Sequence, residues 1–299
     1  MNIVPRIPIT TAMITATNVT DSADYNASTT YAVSDVVKDP ATYLEYESVQ
    51  SSNTGHNPAT DDGTWWAVAG YANSRRMVDG LLLAKTENAT SIVLTLDLGQ
   101  LATSLVCFNV SAESVSLEIK EGATVTYTET VQMVRTDDVE NIWDYMFTDP
   151  EYKTVAVFPS FPGVSGATIK LTVSAPSGTA KIGEAIFGYG RYIGPTLAGT
   201  TPRLKDYSVQ DENAWGEMTI VERSSSRNVD FTVGLNPQEN DRIMRILEEN
   251  RAKLCAFYPS DGMEHYGLTV AGFLTEYAPS LTHRGITPVE ITVQGIVTT

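Results

Sequence analysis

Ile92-Val93-Leu94-Thr95-Leu96-Asp97-Leu98 places an apolar side chain at every second position, with Val93, Thr95 and Asp97 between them. A period of two with β-branched residues is the pattern of a strand with one buried face. The pattern recurs in Val115-Ser116-Leu117-Glu118-Ile119, Val125-Thr126-Tyr127-Thr128, Lys153-Thr154-Val155-Ala156-Val157 and Thr168-Ile169-Lys170-Leu171-Thr172-Val173. Turn residues separate these runs, as at Glu121-Gly122 and Ser165-Gly166. Short alternating strands divided by turns predict a sandwich, not a parallel sheet.

Working outward, the chain divides into three. Residues 1–80, rich in Thr, Tyr, Asn and Trp, read as an N-terminal arm and a small β module. Residues 81–193 read as a β-sandwich. Residues 194–299 open on Gly194-Pro195-Thr196-Leu197-Ala198-Gly199-Thr200-Thr201-Pro202, a linker or strap, and continue as an α+β domain. One helix is predicted there. Asn236 suits the N-cap, Pro237 the first turn, and Glu239 completes a capping box. Ile243, Ile246, Leu247 and Leu254 form its apolar stripe. The fold class expected is therefore mainly β, with one amphipathic helix laid on a sheet.

The chain has 299 residues, 42% of them hydrophobic and 19% charged, enough apolar material for a sizeable core. Lys and Arg number 20 against 36 Asp and Glu, a net charge of −16. That balance argues against binding nucleic acid or an anionic membrane surface. Cys107 and Cys255 sit in apolar surroundings and read as buried free thiols. No apolar run approaches the roughly 18 residues of a membrane span, and the first residues carry no secretory signal pattern.

Between Tyr31 and Trp66 lie Tyr31-Ala32-Val33-Ser34-Asp35-Val36-Val37, Tyr43-Leu44-Glu45-Tyr46, Gly55-His56-Asn57-Pro58 and Thr64-Trp65-Trp66. Over residues 29–68 this order resembles the small chitin- and cellulose-binding modules of glycoside hydrolases. The resemblance makes Tyr31, Tyr43 and one of the two Trp residues structural. The other Trp has opposite strand parity and is free to face outward. His56 stands where chitin-binding members carry an exposed Trp, which removes the best stacking platform. The candidate sugar contacts are Tyr46, His56, Trp65 and Trp66.

Asn73, Met77 and Asp79 in the next stretch match the continuation of this module in tailed-bacteriophage proteins. Leu96-Asp97-Leu98-Gly99 and Lys181-Ile182-Gly183-Glu184-Ala185-Ile186-Phe187-Gly188 resemble the opening and closing strands of discoidin-like jelly rolls. A segment like Asp206-Tyr207-Ser208 and Trp215-Gly216-Glu217-Met218-Thr219-Ile220-Val221 follows in the same phage proteins. The resemblance implies a tail, baseplate or tail-tip structural protein of the virion, assembled in the host cytoplasm. Its expected partners are other tail proteins and further copies of itself in a symmetric homo-oligomer. Residues 1–24 and 194–202 are the segments expected to reach a neighbouring subunit. The alternative is a host-recognition protein that binds surface polysaccharide. A glycan-degrading enzyme with an accessory module is a weaker third reading.

No catalytic motif is present. His56, His265 and His283 lack ligand spacing, and Gly188-Tyr189-Gly190-Arg191-Tyr192-Ile193-Gly194 has its third glycine one residue late for a nucleotide loop and lacks the following helix. The run Asp137-Asp138-Val139-Glu140-Asn141, near Asp144, has the oxygen ligands Ca²⁺ prefers, but reads as a solvated loop. The expectation is no enzyme activity, no cofactor and no metal.

Overall fold

The computed structural model describes residues 1–135, 142–147, 151–164, 166–212, 215–260, 266–279 and 286–298. The protein is mainly β. The N-terminal arm supplies β1 (Asn2–Pro5) and β2 (Ile14–Thr17). A small module follows, built from β3 (Thr30–Tyr31), β4 (Val36–Lys38), β5 (Leu44–Ser48), β6 (Asn53–Thr54) and β7 (Trp66–Tyr71). Here β4-β5-β7 form one sheet and β3 pairs β6.

The sandwich comprises β8 (Thr86–Asp97), β9 (Ser104–Phe108), β10 (Ser114–Glu121), β11 (Thr124–Gln132), β12 (Val155–Phe158), β13 (Thr168–Ile182) and β14 (Glu184–Gly188), with a short helix α1 (Ile142–Phe147) before β12. One sheet runs β11-β10-β13-β8-β2 and the other β12-β9-β14, antiparallel throughout. The alternation in β8 is realised: Ile92, Leu94, Leu96 and Leu98 are buried against the facing sheet. Glu121-Gly122 makes the predicted turn, with Gly122 at φ 60° between β10 and β11.

The rest gives β15 (Arg191–Tyr192), β16 (Thr201–Asp206), β17 (Val209–Glu212), β18 (Met218–Val221), β19 (Ser225–Leu235), α2 (Asn240–Glu249), β20 (Cys255–Tyr258), β21 (Val270–Pro279), β22 (Thr287–Gly295) and β23 (Val297–Thr298). Most of these form an antiparallel sheet in the order β15-β1-β20-β21-β22-β19-β16, with β23 also on β19. Its two faces separate by strand parity. Ile3, Cys255, Phe257 and Val270 point to the α2 side, where they meet Ile243, Ile246 and Leu247. Val4, Ala256, Tyr258 and Ala271 point the other way, onto Val106, Phe108, Val155 and Ile186 of the sandwich. The β12-β9-β14 sheet is thus covered on both faces, and every residue of β9 and β14 is buried. Burial on two sides produces a continuous apolar run instead of an alternating one.

Three expectations change. The helix starts later than its sequence signal: Pro237–Glu239 form a 3-10 turn, and α2 begins at Asn240. Asn236 bonds that turn, through its side chain to the Gln238 amide (3.4 Å) and its carbonyl to the Glu239 amide (2.9 Å). Leu254 lies beyond the helix, half-buried against the layer between sheet and sandwich. The arm and the strap are both spent on this chain's own body. Strand β1 is paired on both edges, by β15 and β20, and β2 closes the five-stranded sheet on β8. The strap bonds β19 from Leu197 to Thr232 (2.7 Å).

Candidate functional site

The small module has too little volume for an aliphatic core, and aromatics supply one. Tyr31, Val37, Tyr46 and Trp66 are buried together. The Trp66 ring meets Tyr31 edge-on at 5.3 Å and Tyr25 at 6.0 Å. The indole N–H of Trp66 donates to the His56 carbonyl at 2.9 Å. Tyr46 is 8% exposed and Trp66 2% exposed. Of the four candidate sugar contacts, these two therefore face inward and offer no ring to a ligand. Strand parity puts them there, and the core has no substitute for their volume.

His56 and Trp65 are the two that remain partly exposed. Their rings lie face to face, 3.8 Å apart and 9° from parallel. Gly55, at φ 80°, makes the turn that delivers His56. Asn53 Oδ1 holds His56 Nδ1 at 3.0 Å. Asp61 fixes the other side of the pair, accepting the amides of Gly63, Trp65 and Trp66, each at 3.0 Å. Burial raises the Asp61 carboxyl, but the amides of Trp66, Trp65 and Gly63 outweigh it and leave the group below its ordinary pKa. The result is a fixed two-ring platform. One face of each ring is used within the stack, so only the opposite faces are left for a sugar.

A second feature carries more exposed apolar surface. Among the described residues, β17 and β18 pair only with each other, as a hairpin that continues from the edge strand β16 and its neighbour β19. Tyr207 N–H to the Ser224 carbonyl (3.2 Å) and Arg223 N–H to Ser208 Oγ (3.0 Å) carry the pairing across the junction. Along this arm Leu204, Val209, Trp215, Met218, Ile220 and Val221 are all exposed, Leu204 by 73% and Trp215 by 94%. Aromatic and Met side chains in an exposed apolar strip are the composition of interface cores. The signal was present as apolar residues flanking Trp215-Gly216, but alternation alone does not say that both faces stay uncovered.

The third feature is the joint between the module and the body. Arg6 Nε lies 2.7 Å from Glu184 Oε1, its Nη2 donates to the Val78 carbonyl, and the Gly80 amide donates to Glu184 Oε2 at 2.9 Å. Burial raises Glu184 to about 8, against the opposing pull of Arg6 and the Gly80 amide. This explains the Gly-Glu-x-x-x-Gly pattern physically. A Cβ at Gly183 would lie 2.8 Å from the Asn109 Cβ, and one at Gly188 2.1 Å from the Pro5 carbonyl oxygen. Met77 and Val78 fill the sandwich core, and Asn73 donates to the Glu87 carbonyl at 2.8 Å.

Among the described residues, no three His, Cys, Asp or Glu side chains are placed to hold a metal ion. His265, His283 and residues 137–141 lie outside the described residues. Cys107 and Cys255 are buried free thiols; burial raises both, Cys255 to about 12. No described helix is long and apolar enough to cross a membrane. No protein-family model matches the sequence, and comparisons with curated proteins and with solved structures return no significant match.

Proposed function

We propose that this chain is a structural component of a bacteriophage tail, in the baseplate or tail tip, that assembles by protein–protein contact into a symmetric homo-oligomer. The observation that carries the reading is the exposed apolar arm, β16 to β19. Its occupant is a second copy of the chain. The arm is an edge strand continued by a hairpin, and an edge of that kind invites pairing with an identical neighbour. The matches at Asn73, Met77, Asp79, Glu184 and the Trp215 segment add the phage context. Sedimentation of the full chain tests the assembly step. The wild type is expected as a discrete oligomer, and Met218→Asp with Ile220→Asp as a folded monomer. A wild type that stays monomeric at micromolar concentration removes the reading. Antibody-labelled particles in a phage lysate test the location.

The stacked His56–Trp65 pair favours a second reading, host-polysaccharide recognition. Trp66→Ala should unfold the module, since removing a buried Trp costs about 3–5 kcal/mol. Trp65→Ala should leave it folded and reduce retention on chitin or host polysaccharide. Equal retention of wild type and Trp65→Ala ends this reading.

A further inference from the structure

Arg75 is a buried charge whose guanidinium is partly unsatisfied. It is 8% exposed, and its Nε and Nη1 atoms are buried with no hydrogen-bond partner. A guanidinium keeps its proton at any physiological pH, so the charge persists in the interior. Arg76 beside it has the Glu45 carboxylate at 2.9 Å, and Arg6 has Glu184. Among the described residues, the Arg75 guanidinium is met by the Tyr43 ring, whose centre lies 4.1 Å from its Cζ. That ring is held in place by unusual backbone. Tyr43 adopts φ 58°, fixed by its amide to the Asp39 carbonyl (2.9 Å) and by the Ala72 amide to its own carbonyl (2.8 Å).

Arg75 lines a cleft of about 210 Å³ between the small module and the body. Pro8, Ile9 and Val78 are its apolar lining residues, and Thr11, Thr42 and Tyr71 line it as well. Arg6 and Asp79 complete the charged lining, with Asp79 in the field of Arg6 and Arg76. Arg6 has Glu184 beside it and acts on Asp79, whereas the Arg75 guanidinium has no carboxylate partner among the described residues.

We propose that this cleft is a binding site for a small organic monocarboxylate of the size of one sugar acid, held by Arg75. A guanidinium with no carboxylate partner favours a carboxylate ligand, whose two oxygens fit its planar donor fork. A lining that mixes Pro8, Ile9 and Val78 with the hydroxyl-bearing residues Thr11, Thr42 and Tyr71 suits the ring of a polyol acid better than a bare inorganic ion. The volume is below the roughly 300 Å³ at which drug-sized pockets begin, and admits one ring. Asp79 acts as the competitor. Burial raises it to about 6, so it is neutral in mild acid and adds a repelling charge above neutrality. Arg6 and Arg76 oppose that burial, Asp79 in turn raises Glu184, and Arg75 lines the same cleft. This site is independent of the assembly arm.

Calorimetry on the full chain, with sodium glucuronate as probe and glucose and sodium sulfate as controls, tests it. Glucuronate should bind at pH 5.5 and more weakly at pH 7.5, while glucose and sulfate should not bind. Arg75→Gln should weaken binding roughly ten- to a hundredfold, as expected for one charge-assisted contact. Asp79→Asn keeps Arg75 intact and should bring the pH 7.5 affinity up to that at pH 5.5. Glucuronate that fails to bind, or that binds Arg75→Gln as well as wild type, overturns the proposal. So does a wild type that ignores glucuronate while Arg75→Gln loses self-association, because the cation then serves a carboxylate of a neighbouring copy.

Discussion

Asp79 and Glu184 both lie in the field of the Arg6 guanidinium, yet burial dominates each of them. Both carboxyls are raised, to about 6 and about 8. The folded chain therefore keeps protons that the unfolded chain has released near pH 4. Stability from these groups is complete below that pH and is lost as pH rises through 6 and then 8. The urea midpoint of wild type should fall between pH 5 and pH 8.5. Asp79→Asn should flatten the lower part of the curve and Glu184→Gln the upper part. Asp39 and Asp61 are shifted the other way, so they act below pH 4 and leave this window alone. Difference curves that stay parallel to wild type would contradict the assignment. Glu184 and Asp79 stood out in the sequence as motif positions. Their partner Arg6 did not, because pairing across 178 residues has no local pattern. Trp66 could not be told from Trp65 either. Strand parity separates neighbours but does not say which of two faces is wet.

At the scale of elements, alternation was a faithful guide wherever one face of a strand is buried and the other wet, as in β8, β10 and β13. It was silent for β1, whose four residues include Pro5 and are buried on both sides at Ile3 and Val4. The continuous apolar run Leu105-Val106-Cys107-Phe108 was the available sign of a strand covered twice. The helix was legible in its stripe, and its start slipped by a turn because Pro237 also fits a 3-10 turn. The contact between β14 and β1 is a close one. Gly188 faces the Pro5 carbonyl with no space for a methyl group, and the Ile7 amide bonds the Phe187 carbonyl at 2.8 Å. Gly188→Ala must push β1 away, and overpacking of this kind costs about 1–3 kcal/mol. Chemical denaturation is the measurement. Gly122→Ala, with open space around its Cβ, controls for backbone strain alone, since Gly122 is at φ 60° where Gly188 is not. A loss at Gly188 no greater than at Gly122 would show that the approach is looser than described.

At the scale of the molecule, the sandwich and the large sheet share a buried layer, so they are expected to unfold together. Cys107 belongs to the sandwich core and Cys255 to the helix side of the sheet. Pulse labelling of thiols in rising urea should expose both at one midpoint. Val4→Asp buries an unpaired charge in the shared layer and should lower both midpoints equally. Two separate midpoints would make the body two cooperative units. This layering was out of reach of the sequence, which showed three stretches in order but not that the first strand of the arm completes the last sheet.

That placement of β1 also sets a clock. Val4 pairs with Ala256, so a ribosome adding roughly 5–20 residues per second needs on the order of ten to fifty seconds to supply the partner strand. During synthesis the arm waits with its edge open, while the sandwich strands between emerge and can already pair. Its strand register is settled only after residues 255–258 have emerged, so a folding phase later than that of the sandwich follows from where four residues sit.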